Sequence, residues 1–260
     1  MDTQNCYTEG PFSRLELLVG REGLSALGGA RVLVCGLGGV GSWAAEMLVR
    51  SGVGGLGLLD FDVVKESNLN RQLPALISTV GRKKAEVLAE RFRDINPQCQ
   101  VEVLDLRLNA DNVRQVLESR PWDYVLDAID DRPAKLALLQ NCLELSMRVV
   151  SSLGAASKLD PGLVCVADIS ETYGCPLAKY MRKALKRAGI TEGITVVYSP
   201  ELPILPAEHP APEEEGSKAP LGTIAYLPAL FGLRCAAEII GKLLPAKGIV
   251  RRGDTPPKTE

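Results

Sequence analysis

The chain has one histidine in 260 residues, and none of its seven cysteines stand at Cys-x-x-Cys spacing. Without such pairs the usual ligand pattern of a structural zinc site is absent. The lone histidine, His209, lies in a stretch of prolines and acids and reads as loop filler, so no general base can be assigned. The longest uncharged stretch near the C-terminus, 219–233, stops at Arg234 and holds glycine and proline, which makes it too short to span a bilayer. Excess charge of either sign is also lacking. Thirty Lys and Arg face 32 Asp and Glu, for a net charge of −2. That balance excludes coating of nucleic acid by bulk charge but leaves room for a local basic patch. Cys35 and Cys165 sit in apolar runs, where a thiol behaves as a small hydrophobe. The odd cysteine number and the lack of a signal peptide point to a reducing cytoplasm.

The composition, 46% hydrophobic and 24% charged, is that of a chain with a real core. Its length fits one large α/β domain or two small ones. A helical segment is predicted within 1–27. Short apolar runs at 31–35, 56–60, 101–104, 124–128 and 149–153 then alternate with helical patterns at 39–51, 83–95, 111–119 and 133–145. This is the signature of βαβ units and predicts a doubly wound, Rossmann-like α/β fold with a mostly parallel sheet. The nucleotide-binding core is expected over 28–160. The remainder, 161–245, reads as an irregular extension of the same sheet, with strands at 163–169 and 195–198, a basic helix at 176–188, and a mobile loop at 199–220 containing Glu213–Glu215. A long helix over 222–244, bent near Pro228, and a frayed tail over 246–260 complete the prediction.

Chemistry concentrates at three strand ends. Gly36-Leu37-Gly38-Gly39-Val40-Gly41 follows a strand and opens a helix, the arrangement that lets backbone approach a phosphate. Asp60 ends the next strand, where a Rossmann carboxylate meets ribose hydroxyls. Ser67, Asn68, Arg71 and Gln72 follow, and Lys84 opens the next helix. An arginine fork and a lysine point charge suit a triphosphate and its departing pyrophosphate. Asp130 and Asp131 lie beyond the fourth strand. Asp130 is placed to hold Mg²⁺ against phosphate oxygens and Asp131 to cap the helix that starts with Arg132-Pro133, while remaining beside the nucleotide.

In this order, GLGGVGS, LLDFD with SNLNRQ, VGRKKAE and DAIDD resemble the adenylating domain of the ubiquitin-activating superfamily, which includes the ThiF and MoeB proteins. The stretches GVGSWAAE, KAEVLAERFRDINP and YVLDAIDDRPAK are most similar to its branch of tRNA threonylcarbamoyladenosine dehydratases. The resemblance implies a homodimer that uses ATP and Mg²⁺ to turn a carboxylate into an acyl-adenylate. The carboxylate would belong to tRNA carrying threonylcarbamoyladenosine, and cyclisation with loss of water would follow. It assigns nucleotide contact to Gly39, ribose to Asp60, phosphates to Ser67, Asn68, Arg71 and Lys84, and Mg²⁺ and adenylation to Asp130. Arg14 matches an arginine that reaches the partner subunit's ATP. It leaves open a sulfur-relay partner protein.

Two further readings concern the second half. Cys175 lies where thioester-forming relatives carry a nucleophile, but Pro176 follows it in a helix-start context, which favours a plain thiol. Lys179, Arg182, Lys183 and Lys186, around Tyr180, form a basic helix that would contact tRNA phosphates or simply be a solvated face. The alternative function is adenylation of a ubiquitin-like sulfur-carrier C-terminus, against which the missing Cys-x-x-Cys pairs count. A nucleotide-binding scaffold without turnover stands further off because Arg71, Lys84 and Asp130 are all intact, and an NAD-linked oxidoreductase further still because Asn68-Leu69-Asn70-Arg71 has no purpose in such a site.

Overall fold

The computed structural model describes residues 9–204 and 221–245. Cys6, His209, the acidic run Glu213–Glu215, most of the predicted 199–220 loop and the 246–260 tail lie outside the described residues.

In chain order the elements are α1 (Ser13–Gly29), β1 (Arg31–Cys35), α2 (Gly41–Arg50), β2 (Gly55–Leu59), α3 (Lys84–Ile95), β3 (Gln100–Leu104), α4 (Val113–Glu118), β4 (Tyr124–Asp127), α5 (Arg132–Glu144), β5 (Val149–Ser152), β6 (Cys165–Asp168), α6 (Pro176–Arg187), β7 (Thr195–Tyr198) and α7 (Tyr226–Leu243). The strands form one seven-stranded sheet in the order β3-β2-β1-β4-β5-β7-β6. All neighbours pair in parallel except β6, which runs antiparallel to β7 at the edge. Strand order reverses between β1 and β4, and the crevice above such a reversal is where open α/β sheets bind ligands.

Both faces of the sheet are covered, which is why β1 reads as an unbroken apolar run. Val32 and Val34 pack with Leu48, Phe92 and Phe231 beneath α2, α3 and α7, while Leu33 and Cys35 pack with Val113, Leu138 and Met181 of α4, α5 and α6. α7 lies against α2 closely enough that a Cβ on Gly232 would come within 2.4 Å of the Val40 carbonyl.

Two helices differ from expectation. α7 begins at Tyr226 and has no internal bend at Pro228. The proline stands in the first turn, where a missing N–H breaks no helical hydrogen bond. α1 runs further than 27, to Gly29, and is interrupted at Gly20, whose φ of 71° lies in the left-handed region.

Candidate active site

The glycine turn between β1 and α2 forms the floor of the crevice. Gly36 has φ +88°, and a Cβ there would sit 2.8 Å from the Ala128 carbonyl. A Cβ on Gly41 would lie 1.8 Å from the Gly36 carbonyl, so the turn closes only with glycine at both places. Ser42 fixes its shape from inside α2, its hydroxyl donating to the Gly38 carbonyl at 2.6 Å and accepting from the Leu73 N–H at 3.3 Å. Because α2 starts at Gly41, its first N–H groups face this turn.

Asp60, just past β2, is buried beside the turn. Its carboxylate accepts from the Leu37 N–H at 2.6 Å and the Asp62 N–H at 2.8 Å. Burial raises its pKa, against the opposing pull of Lys84 and of these backbone donors. Lys84 is itself buried at the first position of α3, and its Nζ donates to Asp62 Oδ2 at 2.9 Å. A buried ammonium is therefore held by one half-exposed carboxylate.

The Ser67–Gln72 segment forms the opposite wall. Arg71 Nη1 donates to the Ser67 carbonyl and to Asn70 Oδ1, both at 2.8 Å, and its Cγ lies 3.5 Å from where a Gly39 Cβ would be. Trp43 Nε1 on α2 donates to the Arg71 carbonyl at 3.2 Å, and Asn70 Nδ2 donates to the Thr223 carbonyl at 2.9 Å. These bonds tie the segment to α2 and to the entry of α7. Asn68 is buried and caps its own loop, accepting from the Lys65 N–H through Oδ1. Ser67 takes part through its carbonyl. Gln72 Oε1 is buried with no hydrogen-bond partner among the described residues, and Gln72 Nε2 lies near Gly38.

At the end of β4, Asp127 is completely buried. Its Oδ2 accepts from Lys135 Nζ and from the Ser151 hydroxyl, both at 2.6 Å, and its Oδ1 accepts from the Ile129 N–H at 3.1 Å. This network holds the short loop that exposes Asp130. Asp131 is the N-cap of α5, accepting from the Ala134 N–H at 3.0 Å. Asp130 carries no hydrogen bond or ion pair among the described residues. An exposed carboxylate of this kind is chemically suited to Mg²⁺, which takes one or two carboxylates and completes its shell with phosphate and water. No cluster of three or more His, Cys, Asp or Glu able to hold a metal occurs among the described residues.

The glycine turn, Asp60, the 67–72 segment and Lys84 are thus linked to one another beyond the ends of β1 and β2, and Asp130 lies two residues past Ala128, whose carbonyl abuts Gly36. Arg14 does not join them. It is exposed on α1, whose Leu24 and preceding Phe12 pack against Gly52 at the opposite ends of the strands. Cys175 is buried at the N-cap of α6, out of reach of a large substrate. Of the basic helix, Lys179, Lys183 and Lys186 are exposed, whereas Arg182 is committed to the Thr172 carbonyl at 2.6 Å and to the Thr172 hydroxyl.

Residues 12–255 match the ThiF family. The chain belongs to that family. As a ThiF-family chain it is 41% identical to the tRNA threonylcarbamoyladenosine dehydratase of Bacillus subtilis, over 90% of this chain and 94% of the relative. Among solved structures, the Escherichia coli tRNA N6-threonylcarbamoyladenosine dehydratase in complex with ATP superposes with a TM-score of 0.82 at 36% identity, covering 90% of this chain and 93% of that one. A more distant ThiF-type relative, the sulfur carrier protein adenylyltransferase of Thermus thermophilus, is 32% identical over 87% of this chain and 73% of its own length.

Sequence reasoning missed the Asp127–Lys135–Ser151 network and the Asp62 partner of Lys84. A signal for the first existed: Lys135 is a charge set into the apolar run Ala134–Leu139, and Asp127 ends an otherwise apolar strand.

Proposed function

We propose that the chain is an ATP-dependent adenylating enzyme acting on the carboxylate of the threonylcarbamoyl group of a modified tRNA adenosine. What supports the reading is Arg71 beside Gly39, Lys84 paired with Asp62 next to Asp60, and Asp130 two residues past the Ala128 carbonyl that abuts Gly36, in a chain similar to such dehydratases over nine-tenths of its length. The carboxylate oxygen bonds to the α-phosphorus of ATP, and the bond to the bridging oxygen breaks as pyrophosphate leaves. Arg71 and Lys84 stabilise the charge that accumulates on the phosphate oxygens, and the N–H groups of the glycine turn hold the nucleotide in line. Asp60 takes the ribose hydroxyls through the lone pairs that Leu37 and Asp62 leave free. A nitrogen of the same modification then bonds to the activated carbonyl carbon, AMP leaves, and the ring closes with the elements of water lost to the two phosphate products. Mg²⁺, held at Asp130, would neutralise phosphate charge.

In the same reading the working form is a cytoplasmic homodimer, with Arg14 serving the partner's site, because α1 places it far from its own. Lys179, Lys183 and Lys186 contact tRNA phosphates. A sulfur-relay partner protein would add to this scheme but is not required by it. The competing reading, adenylation of a sulfur-carrier C-terminus, rests on the Thermus relative.

The test is ATP-dependent pyrophosphate release with threonylcarbamoylated tRNA, with unmodified tRNA, and with Asp130→Ala. Release confined to the modified tRNA and lost in the variant is the expected result. Release with neither tRNA would overturn the proposal.

A further inference from the structure

Beside the nucleotide crevice, two elements that the reaction does not use meet at an exposed pair. Arg132, the residue after the Asp131 cap, is exposed and sits with its guanidinium carbon 4.8 Å from the centroid of the Tyr180 ring on α6. Tyr180 is 38% exposed. From there α6 presents Lys179, Lys183, Lys186 and Arg187 to solvent on one face, while Ala178, Met181 and Leu185 bury the other. α6 carries no acidic residue, and none of these cations has a carboxylate partner among the described residues. Acids on the neighbouring segments make bonds of their own: Asp131 caps α5, Asp168 accepts from the N–H groups of Ser170 and Gly193, and Glu171 accepts from the Asp168 N–H.

We propose that Arg132 and Tyr180 form a stacking platform for an unpaired RNA base next to the reacting nucleotide, and that the exposed cations of α6 lead the flanking phosphates to it. This rests on the tRNA reading above and deepens it. Phosphate contacts alone hold any nucleic acid, duplex or single strand, without regard to its bases. A planar guanidinium seated on an aromatic ring adds a surface on which an unpaired base can stack, and that surface is open only to splayed-out nucleotides. An adenosine whose modification must enter a crevice is such a nucleotide, and its neighbours are then unstacked as well. The platform lies one residue from the loop that presents Asp130, so base capture and carboxylate delivery occur at one rim. Tyr180 holds the Arg132 plane, and Arg132 in turn offers the base its outer face.

The experiment compares binding of two labelled RNAs, a hairpin with the threonylcarbamoyladenosine in its loop and a fully paired duplex of the same length, over a series of salt concentrations and without ATP. The wild type binds the hairpin more tightly. Tyr180→Ala and Arg132→Ala weaken hairpin binding by about 5–150-fold, the range for removing one stacking partner of a base, and leave duplex binding nearly unchanged. Arg132→Lys, which keeps the charge and loses the plane, behaves as Arg132→Ala. Lys183→Ala with Lys186→Ala weakens both RNAs and flattens the salt slope by about 0.7–0.9 for each phosphate no longer neutralised. The ATP-induced rise in melting temperature, retained in every variant, reports that the fold is intact.

Full hairpin affinity in Tyr180→Ala and Arg132→Ala, or in Arg132→Lys alone, overturns the platform. A wild type that binds neither RNA overturns it too, and leaves α6 to an acidic protein. Binding is read without chemistry, so absent pyrophosphate release in a wild type that binds the hairpin selectively would remove the proposed reaction and keep the platform.

Discussion

Lys84 illustrates how one buried side chain can be prepared for a ligand. It is buried at the start of α3 with its ammonium bonded to Asp62, whose backbone N–H in turn bonds Asp60 beside the glycine turn. Replacing it with methionine should lower ATP-dependent pyrophosphate release by about 10²–10³-fold, the usual loss when one preorganised charge-stabilising donor is removed. Initial rates at saturating ATP check this. Gly41 is a harsher case, because the atom that a Cβ would strike belongs to backbone. Gly41→Ala should abolish the thermal stabilisation by ATP, which in the wild type amounts to about 2.7 kcal/mol at a hundredfold excess over Kd. A melting curve with and without ATP decides it. Both residues were readable in advance, since glycine spacing and a lysine at a helix start are local patterns. Asp62 was not readable as the lysine's partner, because that bond joins residues 22 apart in the chain.

At the scale of elements, two ion-pair networks hold the helices that carry the site. Glu46 of α2 is almost fully buried and accepts from Arg91 of α3 at 2.7 and 2.9 Å and from Arg50 at 2.8 Å. Burial alone would raise its carboxyl, but the arginine hydrogen bonds outweigh that and hold it below the ordinary glutamate range. A carboxylate with a depressed folded-state pKa stabilises above its unfolded pKa, and that stability is lost as pH falls through the folded value. Glu46→Gln should therefore cost on the order of 1–2 kcal/mol at neutral pH, allowing for the half-exposed arginines, with the difference from wild type shrinking below about pH 4.3. Urea titrations across pH would show it.

The Asp127–Lys135 pair between β4 and α5 is wholly dry. Lys135→Met strands a buried carboxylate and should cost about 3–5 kcal/mol, and adding Asp127→Asn should restore part of that because the new amide still bonds Ser151 and the Ile129 N–H. Denaturation of the single and double variants provides the comparison. The strands and helices themselves were legible from apolar period, with ends displaced by a residue or two. The start of α7 was not, because the apolar run continues upstream of the helix through Leu221 and Ile224.

For the whole molecule, the residue to follow is Arg14. Its place on α1, against Gly52 and away from the glycine turn, is intelligible if it serves a second copy. Mixing Arg14→Ala with Asp130→Ala, each inactive alone, should then restore roughly a quarter of wild-type activity, because random pairing gives half mixed dimers with one complete site each. No recovery on mixing would confine Arg14 to an ordinary surface role. The sequence showed the parallel core and the crevice because both follow from short-range pattern. It could not show which basic residues of α6 are free, because Arg182 is withdrawn by Thr172 and Arg132 is brought in from another helix.

The glycine turn has a pharmacological corollary. An inhibitor that competes with nucleotide by reading the backbone at Gly36 and Gly41 meets a surface that mutation cannot remodel, since every coded replacement adds a Cβ where the fold has no space. Escape would have to arise at the rim, where exposed side chains such as Phe61 and Arg107 stack 5.3 Å apart and can change at little cost to the fold. Compounds confined to the floor of the crevice would leave a resistant lineage few routes, and those extended toward the rim would open more.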